Sequence, residues 1–237
     1  MNAAGLAKLA GTIQSAFSAA TWDMVWSSIG QTLYMTALTT ILTGICGLIL
    51  GVSLLITDRD GLCPMPVFNA VAGGIVNALR SMPSVIIIIL TLPLSRLIIG
   101  VSYGPRACII ALAVTCIPMF ARLVESSILE VPKGKAEAAA AMGAKKRDIV
   151  FKVLLPEALP NLIRSFTIAV IAIISTTALA GSFGAGGLGD VAVRYGYNRF
   201  RGDVLIAAAL ALIIMVNLVQ FAGAGASKAI LKRRHLL

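Results

Sequence analysis

The feature that most constrains the fold of this chain is a series of five long apolar segments. They cover roughly residues 29–57, 66–94, 105–124, 159–183 and 204–227. A helix that crosses a bilayer needs about 20 mostly apolar residues, and each segment meets that length. Of the 237 residues, 58% are hydrophobic and 13% are charged, whereas soluble domains carry about 25% charged residues. The sequence therefore predicts an all-α polytopic membrane protein with five transmembrane helices and no sizeable soluble domain.

The distribution of basic residues predicts the orientation of these segments. The net charge is +10, but the lysines and arginines lie at the ends of apolar segments. That pattern is typical of topology signals and not of a nucleic-acid-binding groove. If the loop after the third segment is cytoplasmic, eleven bases lie on the cytoplasmic side and six lie outside. We therefore predict that the N-terminus is outside and the C-terminus is cytoplasmic.

This orientation divides the chain into three predicted parts. Residues 1–28 form an external segment, residues 29–231 form the transmembrane domain with a cytoplasmic loop at 126–156, and residues 232–237 form a basic cytoplasmic tail. Within the first part, residues 3–20 either lie as an amphipathic helix on the membrane surface or form a disordered tail.

The most charged part of the chain lies in that cytoplasmic loop, between Glu137 and Pro156. Its first half is rich in alanine, which favours helix, and Gly143 follows where a helix can end in a left-handed residue. A second helical run then ends at Pro156, which breaks or kinks a helix. One interpretation is a polar loop between two spans. The organised helix–glycine–helix pattern favours a docking surface.

The same stretch resembles the EAA signature of bacterial ABC-importer permeases, in which EAA is followed at fixed spacing by G, I and LP. The matching residues are Glu137, Ala138, Ala139, Gly143, Val153, Leu155 and Pro156, with valine in place of isoleucine. Further segments are similar to the methionine-uptake subfamily of these permeases, in the order NALRSMPSVIIIIL, IPMFARLVESSILEVPKGKAEAAAAMGA, KVLLPEALPNLI, FGAGGLGD and YGY. Together these similarities cover roughly residues 30–225.

The resemblance implies a type I permease fold, a bacterial inner-membrane location and inward transport of methionine and close analogues. It also implies a homodimer, two ATP-binding cassette subunits that bind and hydrolyse ATP, and an extracytoplasmic solute-binding lipoprotein, all surrounded by membrane lipid. The residues implied to contact the ATPase are Glu137, Ala138, Ala139, Ala140, Met142 and Gly143. The permease itself is expected to have no catalytic residues, cofactor, metal or nucleic-acid site. The alternatives are a permease for another small amino acid or solute and an ion-coupled secondary transporter.

The fourth apolar segment carries many small and hydroxyl-bearing residues. Close helix packing explains most of them. The resemblance adds that this segment lines the translocation path, with Ser175 and Thr176 beside it. Leu179 is the one bulky residue between Ser175 and Ser182, so we predict that it helps to close the path. The alternative is that Leu179 packs against a neighbouring helix or lipid.

Three remaining features have local explanations. Glycines 184, 186 and 189 match the dinucleotide pattern GxGxxG, but the required preceding strand is not predicted; the resemblance implies a loop that meets the solute-binding protein. Arg80 lies either within the membrane, where Pro83 in the sequence RSMP would mark a helix break at Met82, or at the cytoplasmic surface, which it reaches from a span that starts later. The four cysteines show no metal-binding or redox spacing, so we predict that they are packing residues.

Overall fold

A computed structural model describes residues 11–233 of the chain, and most of them are helical. The predicted all-α class is confirmed, since the described residues include no strand. The helices are named here α1 (Ala19–Thr57), α2 (Pro66–Ser81), α3 (Ser84–Ile99), α4 (Gly104–Leu129), α5 (Lys133–Ala141), α6 (Lys146–Gly181), α7 (Gly187–Val191) and α8 (Gly202–Arg233).

Four of these helices, α1, α4, α6 and α8, are long and apolar enough to cross a membrane. The second predicted segment, residues 66–94, is not one continuous helix: α2 and α3 meet at a break of 111°. Met82 has an extended backbone there, followed by Pro83, and a proline disfavours helical geometry in the residue before it. The count of five spans therefore holds when the bent pair is counted as one.

Helix α1 begins at Ala19, ten residues before the predicted start of the first span. The extra turns are held by packing, since Trp22 and Val25 contact a cluster that contains Leu188 and Ala207. A hydrogen bond from the Thr21 hydroxyl to Asp203 Oδ2, 3.2 Å long, adds a polar attachment. Residue 28 is therefore not a helix boundary. Residues 3–10 of the predicted surface helix lie outside the described part of the chain.

Helix α6 corrects the prediction that Pro156 ends a separate return helix. The chain is helical from Lys146 to Gly181, with Pro160 also inside. Residues Ile149–Leu154 form a π-helical turn, and the Leu155 N–H bonds to the Val150 carbonyl five residues back. Pro156 follows at once, and because a proline donates no backbone hydrogen bond it is accommodated near this change of hydrogen-bond pattern.

The chain forms two compact units. The first contains the described residues up to Thr40 together with Pro83–Ala113 and Ile171–Leu218. Its core includes Met35, Ile88, Leu112 and Ala180, all fully buried. A hydrogen bond of 2.9 Å from the Ser95 hydroxyl to the Ala107 carbonyl joins α3 to α4 within this unit.

The second unit contains Ile41–Met82, Val114–Val170 and the described residues from Val219 onward. Its core includes Phe120, Val124, Ile128 and Leu162. Phe120 and Phe166 contribute an edge-to-face aromatic contact, with ring centroids 5.7 Å apart, which is a favoured arrangement for such rings. This unit carries the predicted cytoplasmic loop.

Candidate functional site

The centre of the candidate docking surface is α5, which ends as the sequence predicts. Gly143 has a φ of +81°, the left-handed conformation that glycine adopts at little cost. The Gly143 N–H bonds to the Ala140 carbonyl at 2.9 Å, and the Ala144 N–H bonds to the Ala139 carbonyl at 3.1 Å. These two bonds form a Schellman motif, which satisfies the last carbonyls of the helix and reverses the chain.

The six residues predicted to contact an ATPase do not all face the same way. Ala139 is only 6% exposed, so its side chain packs within the protein. Glu137, Ala138, Ala140 and Gly143 are exposed, and Met142 is 81% exposed. The surface that α5 offers to a partner is therefore built from the exposed five, with a large apolar side chain at its C-terminal end.

Side-chain contacts join α5 and the residues just before it to the N-terminal half of α6 within the second unit. Lys135 forms an ion pair with Glu157, and Asn161 donates a hydrogen bond to Glu130 just before α5. The π-helical turn also buries Ile149 and Val150. The bonded residues lie 22 and 31 positions apart in the sequence. No local sequence pattern predicts which distant residues come into contact, so these two contacts were not predicted.

The predicted path residues lie on α6 in the first unit. Ser175 is exposed, and its hydroxyl bonds to the Ile171 carbonyl at 3.1 Å. Thr176 is half-buried and bonds in the same way to Ala172 at 2.7 Å. Leu179 is half-buried and packs against the core cluster of this unit. A role in closing the path therefore stays a prediction for Leu179, and the residue also contributes to packing.

The glycine-rich loop after α6 leads into α7, which packs closely against α1 and α6. The N-terminal N–H groups of α7 are bound by side chains of α1: Gly187 donates to Gln31 Oε1 at 2.8 Å, and Leu188 donates to Thr32 Oγ1 at 2.9 Å. A Cβ added to Gly189 would overlap the backbone of Ala178. Helix α6 precedes the loop where a dinucleotide site would need a strand. Within the loop, Ala185 is fully buried, Phe183, Gly184 and Gly186 are half-buried, and Ser182 is exposed.

Charged residues inside the helical segments have defined surroundings. Arg80 is exposed in the last turn of α2, two residues before the break at Met82. Arg122 Nη1 forms an ion pair of 2.6 Å with Glu125, and its Nη2 donates to the Gly73 carbonyl at 3.3 Å. Arg122 therefore links α4 to α2 within the second unit, a contact that the sequence did not reveal.

Metal-binding chemistry finds no support in the part of the chain that the structure describes. It holds no group of three or more histidine, cysteine or carboxylate side chains placed to bind a metal ion. Within the described residues the four cysteines form no disulfide: Cys108 and Cys116 are buried as packing residues, Cys63 is half-buried and Cys46 is exposed.

Comparison with known proteins gives one consistent result. Residues 47–234 match the family model described as binding-protein-dependent transport system inner membrane component. The probable D-methionine transport system permease protein MetI of Vibrio cholerae is 41% identical over 201 residues, 85% of this chain and 89% of that protein. The methionine import system permease protein MetP of Bacillus subtilis is 40% identical over 199 residues, 84% of this chain and 90% of that protein.

Solved structures agree with these sequence relatives. A chain from an inward-facing structure of the MetNI methionine ABC transporter superposes with a TM-score of 0.87 and 37% identity, covering 90% of this chain and 99% of that one. A chain from an amino acid ABC transporter superposes with a TM-score of 0.72 over 97% of this chain. That second chain is 17% identical, so it supports the fold alone.

Proposed function

The chain belongs to the family of binding-protein-dependent transport system inner membrane components, and on that premise we propose that it is the permease subunit of an ABC importer that carries methionine and close analogues into the cell. The observation that carries the proposal is the similarity along nearly the whole chain to permeases named for methionine transport. In this role the chain provides the path through the inner membrane and does not hydrolyse ATP.

The energy for transport would come from two ATP-binding cassette subunits, one on each chain of a permease homodimer. The exposed residues of α5 support a docking role, since Ala138 and Ala140 offer a small-residue surface that is flanked in sequence by the carboxylate of Glu137 and the large apolar side chain of Met142. Gly143 then returns the chain to α6. ATP binding by the paired cassettes would move α5, and the ion pair between Lys135 and Glu157 would pass that motion to α6.

The path itself would run beside α6, with Ser175, Thr176 and Leu179 from each chain facing the dimer axis. Ser175 is exposed and Leu179 is half-buried in the single chain, so a second copy has surface there to meet. Two leucines that approach each other could close a narrow path by excluding water. A conformational change that reopens the path requires ligands that bind the two states with different affinity, which ATP and the solute-binding protein would supply.

The orientation follows from the basic residues, which favour a cytoplasmic loop at 126–156, an external segment at 1–28 and a cytoplasmic tail at 232–237. The family name supports an external binding protein that delivers the substrate. That protein would meet the exposed part of the glycine-rich loop, at Ser182, and the exposed residues beyond α7, which include Tyr197 and Phe200.

Substrate-stimulated ATP hydrolysis tests the proposal. The permease, its ATP-hydrolysing partner and its binding protein are purified, assembled in lipid and given a panel of amino acids one at a time. We expect methionine to raise the ATPase rate more than leucine, glutamine or histidine does. Stimulation by a different amino acid alone would reassign the substrate, and an ATPase rate that never depends on the permease would remove the importer assignment.

A further inference from the structure

A cleft of about 470 Å³ lies beside α5 in the second unit. Its walls come from the end of α1, the loop after it, the end of α4, α5 itself and the π-helical turn. The interior is mostly apolar, and residues from these elements line it: Leu55, Ile56, Leu62, Ile128 and Leu154. This lining brings together residues almost 100 positions apart, so the sequence alone gives no sign of the cleft.

The mouth of the cleft is acidic. Asp58, Asp60 and Glu137 line it with a single basic residue, Lys133. All four are exposed, and none of the three carboxylates forms an ion pair within the described residues. An apolar interior behind a carboxylate rim matches one kind of side chain well, an aliphatic stem that ends in a positive charge.

The wall that carries Asp58 and Asp60 is held in place before any partner binds. The loop after α1 folds back onto the helix end, with the Cys63 N–H bonded to the Ile56 carbonyl at 2.9 Å and the Met65 N–H bonded to the Thr57 carbonyl at 3.0 Å. The Asn69 amide donates to the Leu54 carbonyl at 2.6 Å. A preorganised wall reduces the entropy that a partner must lose on binding.

The cleft is continuous with the proposed docking surface. Glu137 and Ala140 line the cleft and also belong to the exposed face of α5. A protein seated on that face therefore covers or enters the mouth of the cleft. This continuity selects the partner, because the subunit proposed to sit on α5 is the one that hydrolyses ATP.

We propose that this cleft receives an arginine or lysine side chain of the ATP-hydrolysing subunit, which gives that subunit a second attachment beside α5. The inference rests on the proposed function. In this arrangement the aliphatic stem lies against Leu62 and Ile128, and the cationic end bonds to Asp58, Asp60 and Glu137. Contact between the two subunits then occurs in both directions: α5 inserts into the ATPase, and one ATPase side chain inserts into the permease.

Neutralising the rim tests the electrostatic part. The double variant Asp58→Asn/Asp60→Asn keeps oxygen acceptors, including the one that holds the Arg59 N–H at 2.8 Å, and removes two charges. We expect the affinity of the ATP-hydrolysing subunit for the permease in detergent to fall about tenfold, the effect of losing two exposed charge pairs. The matched control is Arg59→Gln, which removes an exposed charge from the same loop outside the cleft. We expect no loss of affinity with this control.

Cross-linking tests the position of the partner. A benzoylphenylalanine placed at Leu62 in the assembled complex should capture, on illumination, a segment of the ATP-hydrolysing subunit that contains an arginine or lysine. The same probe at Val67, 77% exposed and outside the cleft, should not capture it. Capture of lipid alone at Leu62 would overturn the inference, and so would an affinity of the rim variant equal to that of the unmodified permease. If the complex still assembles and transports in either case, the proposed function is unaffected. Failure of the unmodified chain to retain any ATPase would remove both.

Discussion

Gly143 is the residue on which the shape of the loop at 126–156 depends. Its φ of +81° places the two hydrogen bonds that end α5, and a β-branched residue strongly resists that conformation. We expect Gly143→Val to insert into the membrane normally but to lose most of its ATPase on purification. Gly143→Asn is the matched control, because asparagine tolerates the left-handed region and should retain the ATPase. Equal retention by both variants would contradict the role of this glycine.

Leu179 is the residue at which gating and packing predict different results. If it closes the path, Leu179→Ala should allow methionine to leak through proteoliposomes without ATP. Leu112→Ala serves as the control, because Leu112 is fully buried in the cluster that Leu179 packs against. We expect that control to lose about 2 to 5 kcal/mol of stability without a leak. Passive flux and melting temperature of both variants decide the matter, and a destabilised but tight Leu179→Ala would assign Leu179 to packing alone.

At the scale of single elements, the connection between α5 and α6 is the feature that matters for coupling. The ion pair between Lys135 and Glu157 is partly exposed, so its loss should cost less than about 1 kcal/mol of stability. We expect Lys135→Glu to leave ATPase binding intact while the number of methionine molecules moved per ATP falls. The exchange variant Lys135→Glu/Glu157→Lys should recover that ratio. Full coupling in the single variant would show that motion reaches α6 by another route.

Elements also differ in how far the sequence predicts them. The apolar segments and the glycine stop at Gly143 were predicted correctly because length, hydropathy and a left-handed residue are local properties. The π-helical turn and the early start of α1 were not predicted. The π-helical turn follows from hydrogen-bond geometry, and the early start of α1 follows from packing of Val25 against Leu188 and Ala207. The cleft beside α5 was also missed, because its lining joins Leu55 to Ile128 and Leu154.

At the scale of the whole molecule, the predicted orientation has a direct test. Single cysteines are placed at Lys146 and Asn198 in a background without the four native cysteines; both positions are exposed. We expect an impermeant thiol reagent to reach position 198 from outside intact cells and position 146 only after the membrane is opened. Ala185 is unsuitable for this purpose because it is fully buried.

Labelling of both positions from the same side would mean that α6 does not cross the membrane, and the orientation would have to be rebuilt. The number of times that the bent pair α2 and α3 crosses the membrane depends on the same orientation. With an outside N-terminus and a cytoplasmic loop at 126–156, the pair must cross the membrane once in total.

The central claim, that this chain is the membrane path of an ATP-driven methionine importer, is tested most directly by uptake. Labelled methionine is supplied with the binding protein to proteoliposomes that contain this chain and its ATP-hydrolysing partner, with ATP enclosed on the cytoplasmic face. The account predicts accumulation that requires hydrolysable ATP and that neither a proton gradient nor a sodium gradient can replace. Methionine accumulation driven by an ion gradient in the absence of ATP would contradict it.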